Sequence, residues 1–510
     1  MMAVDACCSS LYLWLLVPCL VYLLLLFWQK WRVATTFGKM GLQSVRPLPL
    51  IGNMPSIIKE GLSDFFVKGM QQYGHVYGIF MSLGPAVVVS DPDMLRDLFV
   101  KKFASFPNRQ PMLEFQVEPW KYNLLALRDD HWKRVRSILS PAFSSGKLKK
   151  MMPAVERVVS KLGKHTKHKT ETGEPVELKK FCGAFAMDAI AGAAYGIQVD
   201  SLENPDDLFV KHAVSIVDPR NIAFPLIMVF PWLAPVFRMI GVKVIPESAT
   251  NFFTSAIDSA LADRREGDKG YSDFLQVLLD MEKERECEGN EGKSTDQPGL
   301  TRDEMFANAM VFLMAGYDTV STAMAFTLFC LAGNPPCLEK VQAEIDAKIG
   351  QRSVDFENAG TLTYLDMCIS EALRLYPPAN ILLRQAAEDV ELGGYLIPRG
   401  WLVLVPVYAI HHNPQLWDQP ENFDPQRFGA KAQSDRHPFS YVPFGSGPRV
   451  CIGMRLAQLE LRMALAAILK DYAPVLCDKS QYPPKRMKMS PHMSAQDGLW
   501  VKFQPRSATT

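Results

Sequence analysis

The sequence predicts a mainly α-helical protein with small β sheets, arranged as a single large domain behind an N-terminal transmembrane helix. Three features favour this fold class: an uncharged apolar run near the N terminus, helical spacing of apolar residues over most of the chain, and two short alternating stretches. No internal repeat is present. We therefore divide the 510 residues into a membrane anchor (1–30), a basic, proline-rich hinge (31–53), a folded domain (54–505) and a tail (506–510).

The predicted anchor is the run from Ala6 to Trp28, which contains no charged residue. About 20 apolar residues are enough to cross a bilayer. Asp5 precedes the run, whereas Lys30 and Arg32 follow it, so the folded domain is expected on the cytoplasmic side. A cleaved signal peptide is the alternative, but it would begin with basic residues and have a shorter apolar core. The prolines of 46–53 then form a stiff spacer at the membrane surface.

Two segments of the folded domain have the pattern of β-hairpins. Val76 to Ser90 alternates and breaks at Gly84-Pro85, and Asp389 to Val407 contains glycine-rich turns. The segment from Glu282 to Gly299 is charged and poor in apolar residues, which is typical of a mobile surface loop.

Composition excludes several classes of partner and site. A formal net charge of +1 gives no reason to expect nucleic acid as a partner. The ten cysteines contain no C-x-x-C pair, so neither a zinc site nor a disulfide framework is indicated. Reduced thiols in a domain that faces the cytosol are the simpler interpretation.

The stretch 444–453 carries the strongest functional signal. It places Cys451 on a glycine-punctuated turn just before an apolar helical run, where unpaired N–H groups favour a thiolate. Arg449 adds a nearby cation, and the glycines allow a large flat ligand to approach the backbone. Such a thiolate suits axial ligation of haem iron. Taken alone, however, a cysteine after a glycine-rich loop is more often an inert buried residue.

The full pattern of this stretch, Phe-x-x-Gly-x-Arg-x-Cys-x-Gly, resembles the haem-binding loop of the cytochrome P-450 family, the haem-thiolate monooxygenases. The resemblance implies haem b (iron protoporphyrin IX) as the cofactor and Cys451 as the axial ligand of its iron. It also implies that Phe444, Arg449 and Gly453 contribute to haem binding. The family fold and a location in the endoplasmic reticulum membrane are further implications.

The apolar helical stretch from Met305 to Leu331 contains one acid, Asp318, which is costly there unless it is paired or hydrated. Gly316 is expected to open space along one face, and Thr319 to donate to a carbonyl one turn back. A kinked helix with a capped aspartate accounts for these residues equally well. The segment also resembles the family's oxygen-activation motif. That resemblance implies that Thr319 steadies the oxygen being activated and that Asp318 relays protons from solvent.

Glu371 and Arg374 lie one helical turn apart, which by itself indicates only a weak surface ion pair. Together with Arg427 they resemble the family's buried Glu–Arg–Arg cluster, whose implied role is to hold the cysteine loop against the haem. The family usually has glutamate where this chain has Gln426.

Other arginines are candidates for the haem propionates. Trp132 and Arg136 share one helix face, and in the family the matching pair binds a propionate, as bidentate arginine suits carboxylates. Arg109 and Arg384 are further candidates by resemblance.

Two surfaces have open interpretations. A basic face, which is either a docking site for a reductase or simply solvated, would comprise Lys133, Arg134, Lys147, Lys149, Lys150 and Arg455. The apolar segment from Phe224 to Gly241 either roofs a substrate pocket and dips into the bilayer, or packs in the core.

The leading hypothesis is a haem-thiolate monooxygenase that inserts one oxygen atom from O2 into lipophilic xenobiotics, steroids or fatty-acid derivatives. Its implied partners are NADPH-cytochrome P-450 reductase, cytochrome b5 and membrane lipid. The alternative is an endoperoxide isomerase like thromboxane synthase, which needs no reductase, but the retained Asp318-Thr319 pair favours oxygen activation. A non-catalytic haem sensor or carrier is a third hypothesis, although a sensor has no need of these residues.

Overall fold

The computed structural model describes residues 20–266, 273–280 and 299–506, apart from some gaps inside these ranges. The gaps are 34, 83, 111–117, 205, 217–235, 237–238, 240–244, 278, 489 and 491. For residues 265 and 266 only the backbone is described. Most of the predicted anchor therefore lies outside the described residues. The same holds for nearly all of the predicted 282–299 loop and the predicted roof segment 224–241.

Helices make up most of the described chain. They are α1 (Met54–Glu60), α2 (Leu62–Tyr73), α3 (Pro92–Arg96), α4 (Asp129–Leu139), α5 (Ser145–Thr172), α6 (Leu178–Ile190), α7 (Leu208–Ile216), α8 (Glu247–Glu266), α9 (Arg302–Ala332), α10 (Pro335–Lys348), α11 (Phe356–Ala359), α12 (Thr363–Leu375), α13 (Val407–His411), α14 (Ala430–Asp435) and α15 (Met454–Asp471). Residues 20–33 form a further helix ahead of them.

The strands form small sheets. They are β1 (Val76–Met81), β2 (Gly84–Val89), β3 (Val176–Glu177), β4 (Leu382–Gln385), β5 (Val390–Leu392), β6 (Tyr395–Ile397), β7 (Leu402–Val405), β8 (Tyr472–Leu476) and β9 (Trp500–Pro505). Their orders are β1-β2-β7-β4, β3-β9-β8 and β5-β6, and β2 runs parallel to β7. The predicted fold class, mainly α with small sheets, is confirmed.

The first predicted hairpin is confirmed as β1–β2, but its turn is not where the sequence suggested. Gly84 and Pro85 already belong to β2, where they pair with Met81 and Phe80. The chain reverses two residues before Gly84, at Ser82, whose φ of 56° is in the left-handed region. The second predicted β segment, Asp389 to Val407, forms β5, β6 and β7.

The long helix α9 lies at the centre of the main hydrophobic core. It begins with a capping box in which the Thr301 side chain accepts from the Glu304 N–H and the Glu304 carboxylate accepts from the Thr301 N–H. In the part of the chain that the structure describes, only α9 is long and apolar enough to span a bilayer, but 61% of its apolar window is buried. It is therefore a core helix.

The close approach of α9 to α6 depends on small residues. A Cβ on Gly316 would lie 2.9 Å from the Ile190 side chain, and one on Gly183 would lie 3.3 Å from Tyr317. The expectation that Gly316 opens space was wrong: Ile190 fills that side of the helix.

The helix at 20–33 differs from the core helices in its apolar exposure. Leu23 is 60% exposed, Phe27 71% and Trp31 57%. Its end contacts the folded domain through Arg32, whose guanidinium lies 4.6 Å from the Phe80 ring centroid. Exposed leucine and aromatic side chains on a helix suit an apolar surrounding better than water.

Candidate active site

The loop that carries Cys451 has a backbone that depends on glycine. Gly445 and Gly447 both have φ of +72°, a conformation that residues with a Cβ rarely adopt. A Cβ on Gly447 would also lie 1.9 Å from the Phe99 carbonyl oxygen. The Cys451 N–H donates to the Phe444 carbonyl at 3.0 Å, which closes the loop.

Gly453, the last residue of the predicted haem-loop pattern, is the N-cap of α15. A Cβ there would meet nothing within 4 Å, so open space adjoins the helix start. Its backbone N–H forms a hydrogen bond with Cys451 that lowers the thiol pKa. The predicted support of the sulfur by a helix start is therefore present.

The Cys451 thiol lies in dense protein and yet has accessible surface. Burial raises its pKa, while the Gly453 N–H, Arg109 and Arg136 oppose that rise. The side chain is nevertheless exposed, a combination expected where a residue lines an internal cavity. The sequence suggested Arg449 as the neighbouring cation, but Arg109 and Arg136 are the arginines that act on the sulfur.

Four arginines that the sequence nominated gather near this sulfur: Arg109, Arg136, Arg384 and Arg449. Burial lowers the pKa of each guanidinium, to about 9 for Arg384 and about 8 for Arg449, and repulsion from other arginines adds to the lowering for all but Arg136. Among the described residues, none of the four forms an ion pair with a carboxylate. Since arginine does not lose its proton in proteins, these shifts express a buried excess of positive charge.

Arg449 is fixed firmly within this group. Its Nε donates to the Pro107 carbonyl at 2.5 Å and its Nη2 to the Leu127 carbonyl at 3.0 Å. Its guanidinium stacks on the Trp132 ring at 4.1 Å from the centroid. In the structure, Trp132 of α4 thus supports Arg449.

Two atoms of the cluster have unmet hydrogen-bonding capacity. Arg449 Nη1 and Arg384 Nε are buried and have no partner among the described residues, although buried donors are normally paired. Arg384 instead lies 4.9 Å from the Phe99 ring centroid. Donors and uncompensated cations beside a thiol fit a planar cofactor that carries two carboxylates and a metal, which is the composition of haem.

The acid and threonine of α9 are both engaged. The Thr319 hydroxyl donates to the Ala315 carbonyl at 2.6 Å, as the sequence predicted. Asp318 accepts from Lys179 Nζ at 2.9 Å and lies 2.7 Å from His492 Nδ1. Burial alone would raise the Asp318 pKa, but these two partners hold it well below its usual range. The expectation that this acid must be paired or hydrated is met by Lys179 and His492.

Neither partner of Asp318 was found from the sequence. Lys179 belongs to α6, and His492 lies beyond the last helix, so no local spacing connects them to α9. Lys179 also donates to the Asp318 carbonyl, Ser321 and Thr322, at 2.8, 2.8 and 2.5 Å. One turn of α9 is therefore held to α6 by a single ammonium group.

The predicted Glu–Arg–Arg cluster forms as expected. Arg374 binds Glu371 through two hydrogen bonds, of 2.7 and 2.8 Å, and both residues are 0% exposed. Arg427 Nε adds a third contact to Glu371 at 3.3 Å. The Asp424 N–H donates to the same carboxylate at 2.9 Å, so the buried charge is compensated on several sides.

A residue that the sequence did not indicate joins this cluster to the cysteine loop. His411 accepts from the Val442 N–H through Nε2 at 3.0 Å, and its carbonyl accepts from Arg374 at 2.8 Å. Burial holds the pKa of His411 well below its usual value, so the ring is neutral and can accept at Nε2. Val442 lies two residues before Phe444, where the loop begins.

The proposed basic face is partly neutralised. Arg134 pairs with Glu304 of α9, which also lies 2.5 Å from His131 Nε2. Lys149 pairs with Glu357 at 3.2 Å. Two of the six residues predicted to form the basic face are therefore in ion pairs with carboxylates.

Aromatic side chains form a cluster beside the α9 site. Phe312, one turn before Gly316, makes edge contacts with Phe143 and Phe274, at ring-centroid distances of 5.4 and 5.0 Å. Ala315, although in the middle of a core helix, is exposed. An exposed alanine beside aromatic rings marks an apolar cavity wall.

Comparison with known proteins gives consistent matches. A family model described as Cytochrome P450 matches residues 42–500. Human cytochrome P450 3A5 is 36% identical over 480 residues, which cover 92% of this chain and 92% of that protein. Human cytochrome P450 3A7 is 36% identical over 502 residues (97% of each chain), and mouse cytochrome P450 3A11 is 34% identical over 507 residues (98% of each). These relatives align along nearly the whole chain.

Proposed function

This chain belongs to the cytochrome P450 family, and we propose that Cys451 is the axial ligand through which it holds its haem iron. The protein is a haem-dependent monooxygenase that acts on lipophilic small molecules, including xenobiotics and steroids. When bound, haem supplies the chemistry that activates dioxygen, and one oxygen atom enters the substrate while electrons arrive from NADPH. The observation that carries the assignment of Cys451 is its position beside a buried excess of guanidinium groups.

The arginines have separate roles in this proposal. Arg449, fixed by two carbonyls and Trp132, would hold a haem propionate with its unpartnered Nη1, and Arg384 would do so with Nε. Arg109 and Arg136 act on the sulfur as well, since their charges lower the Cys451 pKa. Binding of two carboxylates here would relieve the repulsion among the four cations, which stabilises the loaded protein over the empty one.

On the oxygen side, Thr319 and Asp318 handle protons. The Thr319 hydroxyl donates its proton to the Ala315 carbonyl, so its oxygen can still accept a hydrogen bond, and it lies one turn from the exposed Ala315. Asp318 is kept ionised, so it can accept a proton and pass it on. The Glu371–Arg374–Arg427 cluster has a structural role: through His411 it fixes the chain just before Phe444.

Location and partners complete the proposal. The exposed apolar side chains of 20–33 support an anchor in the endoplasmic reticulum membrane, with a single span and the catalytic domain in the cytoplasm. NADPH-cytochrome P-450 reductase is the proposed electron donor and cytochrome b5 a second one. Lys133, Lys150 and Arg455 remain exposed for such docking.

Carbon monoxide difference spectroscopy of the reduced protein tests the assignment of Cys451. The wild type is expected to show the spectrum of thiolate-ligated iron, and Cys451→Ser to lose it. Cys477→Ser is the matched control, because Cys477 is a partly buried cysteine outside the loop. A Cys451→Ser protein that kept the thiolate spectrum would refute the ligand assignment.

The isomerase alternative requires a separate measurement. An endoperoxide supplied without NADPH should remain unconverted by this chain, whereas a lipophilic substrate with NADPH, reductase and O2 should be oxygenated. Conversion of the endoperoxide with no NADPH-dependent product would instead support the isomerase. Asp318 and Thr319 have no function in that reaction, so Thr319→Ala would then change nothing.

A further inference from the structure

His492 lies between solvent and the carboxylate of Asp318. Its Nδ1 is 2.7 Å from Asp318 Oδ2, and its side chain is 42% exposed, whereas that of Asp318 is 15% exposed. The position is fixed by the backbone, because Met493 N–H donates to the Pro378 carbonyl at 3.0 Å. A titratable ring thus bridges the protein surface and the acid that the oxygen side uses.

The second partner of Asp318 cannot deliver protons in the same way. Lys179 is held by four hydrogen bonds to one turn of α9. An ammonium group of this kind keeps its protons near neutral pH, whereas imidazole exchanges them there. The two partners of Asp318 therefore differ in function: Lys179 holds the carboxylate in place, and the His492 ring can exchange protons with water.

We propose that His492 is the solvent-side proton donor to Asp318. The inference rests on the proposed function, in which Asp318 and Thr319 serve oxygen activation. In the step itself, the proton on Nδ1 of the protonated ring passes along the hydrogen bond to Oδ2. The ring is left neutral with its remaining proton on Nε2, and Nδ1 regains a proton from water before the next delivery, so one proton enters for each one delivered. His492 acts through Asp318 and is a positioning residue rather than a catalytic one.

The other titratable groups around Asp318, among the described residues, are poor sources of exchangeable protons, whereas His492 is a suitable one. Burial raises the pKa of Tyr317 to about 12 and that of Cys182 well above its usual value. Glu177 is occupied as an acceptor for the N–H groups at the start of α6. Lys179 is the remaining charged neighbour, and its ammonium group is already hydrogen-bonded to one turn of α9. The acid itself is kept ionised, so it stores no proton between turnovers and depends on a donor in contact with it.

The test compares His492→Gln with the wild-type holoenzyme. Glutamine can still donate a hydrogen bond to Asp318 but cannot release a proton, so the local structure is retained. The matched control is His165→Gln, which removes a histidine of α5 that lies 3.7 Å from Glu203 rather than beside Asp318. NADPH consumption, product and hydrogen peroxide are measured from pH 6 to pH 8 with reductase present.

His492→Gln is expected to convert several-fold less of the consumed NADPH into product, with the difference appearing as peroxide. Coupling is expected to fall as the pH rises in the wild type and in His165→Gln, but not in His492→Gln. Carbon monoxide and substrate-binding spectra should match those of the wild type. A structural role alone would lower stability without removing the pH dependence.

A second readout does not depend on turnover. Selective 15N labelling of the nine histidines allows the His492 signals to be assigned by their loss in His492→Gln. The Nδ1 resonance should then move in Asp318→Asn, because the anionic acceptor is gone. An unmoved resonance would show that the contact is absent and would overturn the inference.

The two proposals fail in different ways. If Thr319→Ala uncouples turnover but His492→Gln behaves like the wild type, the inference about His492 is wrong and the proposed function stands. If both variants stay fully coupled, the roles given to Thr319 and Asp318 are wrong, and the inference falls with them.

Discussion

Glu460 provides a quantitative test of the packing around α15. It is 3% exposed, and its Oε1 has no hydrogen-bond partner among the described residues. Burial raises its pKa from 4.5 to about 8. Between these values the folded protein keeps the proton that the unfolded chain has lost. Stability is therefore fully present below pH 4.5 and is lost as the pH rises toward 8.

The size of the effect follows from the shift. One pH unit is worth about 1.4 kcal/mol, so raising the pH from 5 to 8 should cost roughly 3.5 kcal/mol. For a domain of about 450 residues the unfolding entropy is about 0.9 kcal/mol per degree, which converts this loss to roughly 4 °C. Glu460→Gln keeps the side-chain shape and cannot ionise, so it should abolish this component.

The assay is the thermal midpoint of the holoprotein at pH 5, 6.5 and 8, followed by the haem absorbance and by circular dichroism. The wild-type midpoint should fall relative to that of Glu460→Gln by about 4 °C across the range. Glu339→Gln, which changes an exposed glutamate on α10, should run parallel to the wild type. Parallel curves for Glu460→Gln as well would show that this carboxyl is paired or hydrated, contrary to the structure.

Three further substitutions test the frame around the cysteine. Gly447→Ala places a Cβ 1.9 Å from the Phe99 carbonyl oxygen, at a residue whose φ is +72°. The purified variant should therefore contain little haem in a pyridine haemochrome assay. A normal haem content would contradict the loop geometry. Glu371→Gln leaves buried arginine charge uncompensated and should cost about 3–5 kcal/mol in denaturant unfolding, with an unchanged midpoint counting against the cluster. His411→Phe leaves the Val442 N–H unpaired, for a loss of about 1–3 kcal/mol and faster haem release to apomyoglobin.

Local patterns made much of the fold predictable. The length of α9 and the β1–β2 hairpin follow from spacing, and the Glu371–Arg374 pair is one helical turn within α12. In these cases the interacting residues are near one another in sequence, or belong to a motif. The hairpin turn was misplaced because glycine and proline usually mark turns, but here Gly84 pairs with Met81 and Pro85 with Phe80 inside the strands.

The long-range contacts were not predictable. Lys179, His411 and His492 are ordinary residues of helices or irregular chain, and each gains its role by meeting a distant partner. Their partners were recognised as a motif, but a motif does not indicate what packs against it. The same limit explains Gly316: the sequence shows a missing side chain, and only the fold shows that Ile190 occupies the space.

The two sides of the site differ in their access to protons, and this difference follows from burial. On the cysteine side, Glu371, Arg374 and His411 are 0% exposed, and the hydrogen bonds that link them are shielded from solvent. Such a frame can hold a sulfur in one position without supplying it with protons. On the oxygen side, Asp318 connects to His492, whose side chain is 42% exposed. Since protonation of the sulfur would weaken a metal bond while oxygen activation consumes protons, this difference in exposure puts the contact with solvent on the side where protons would be used.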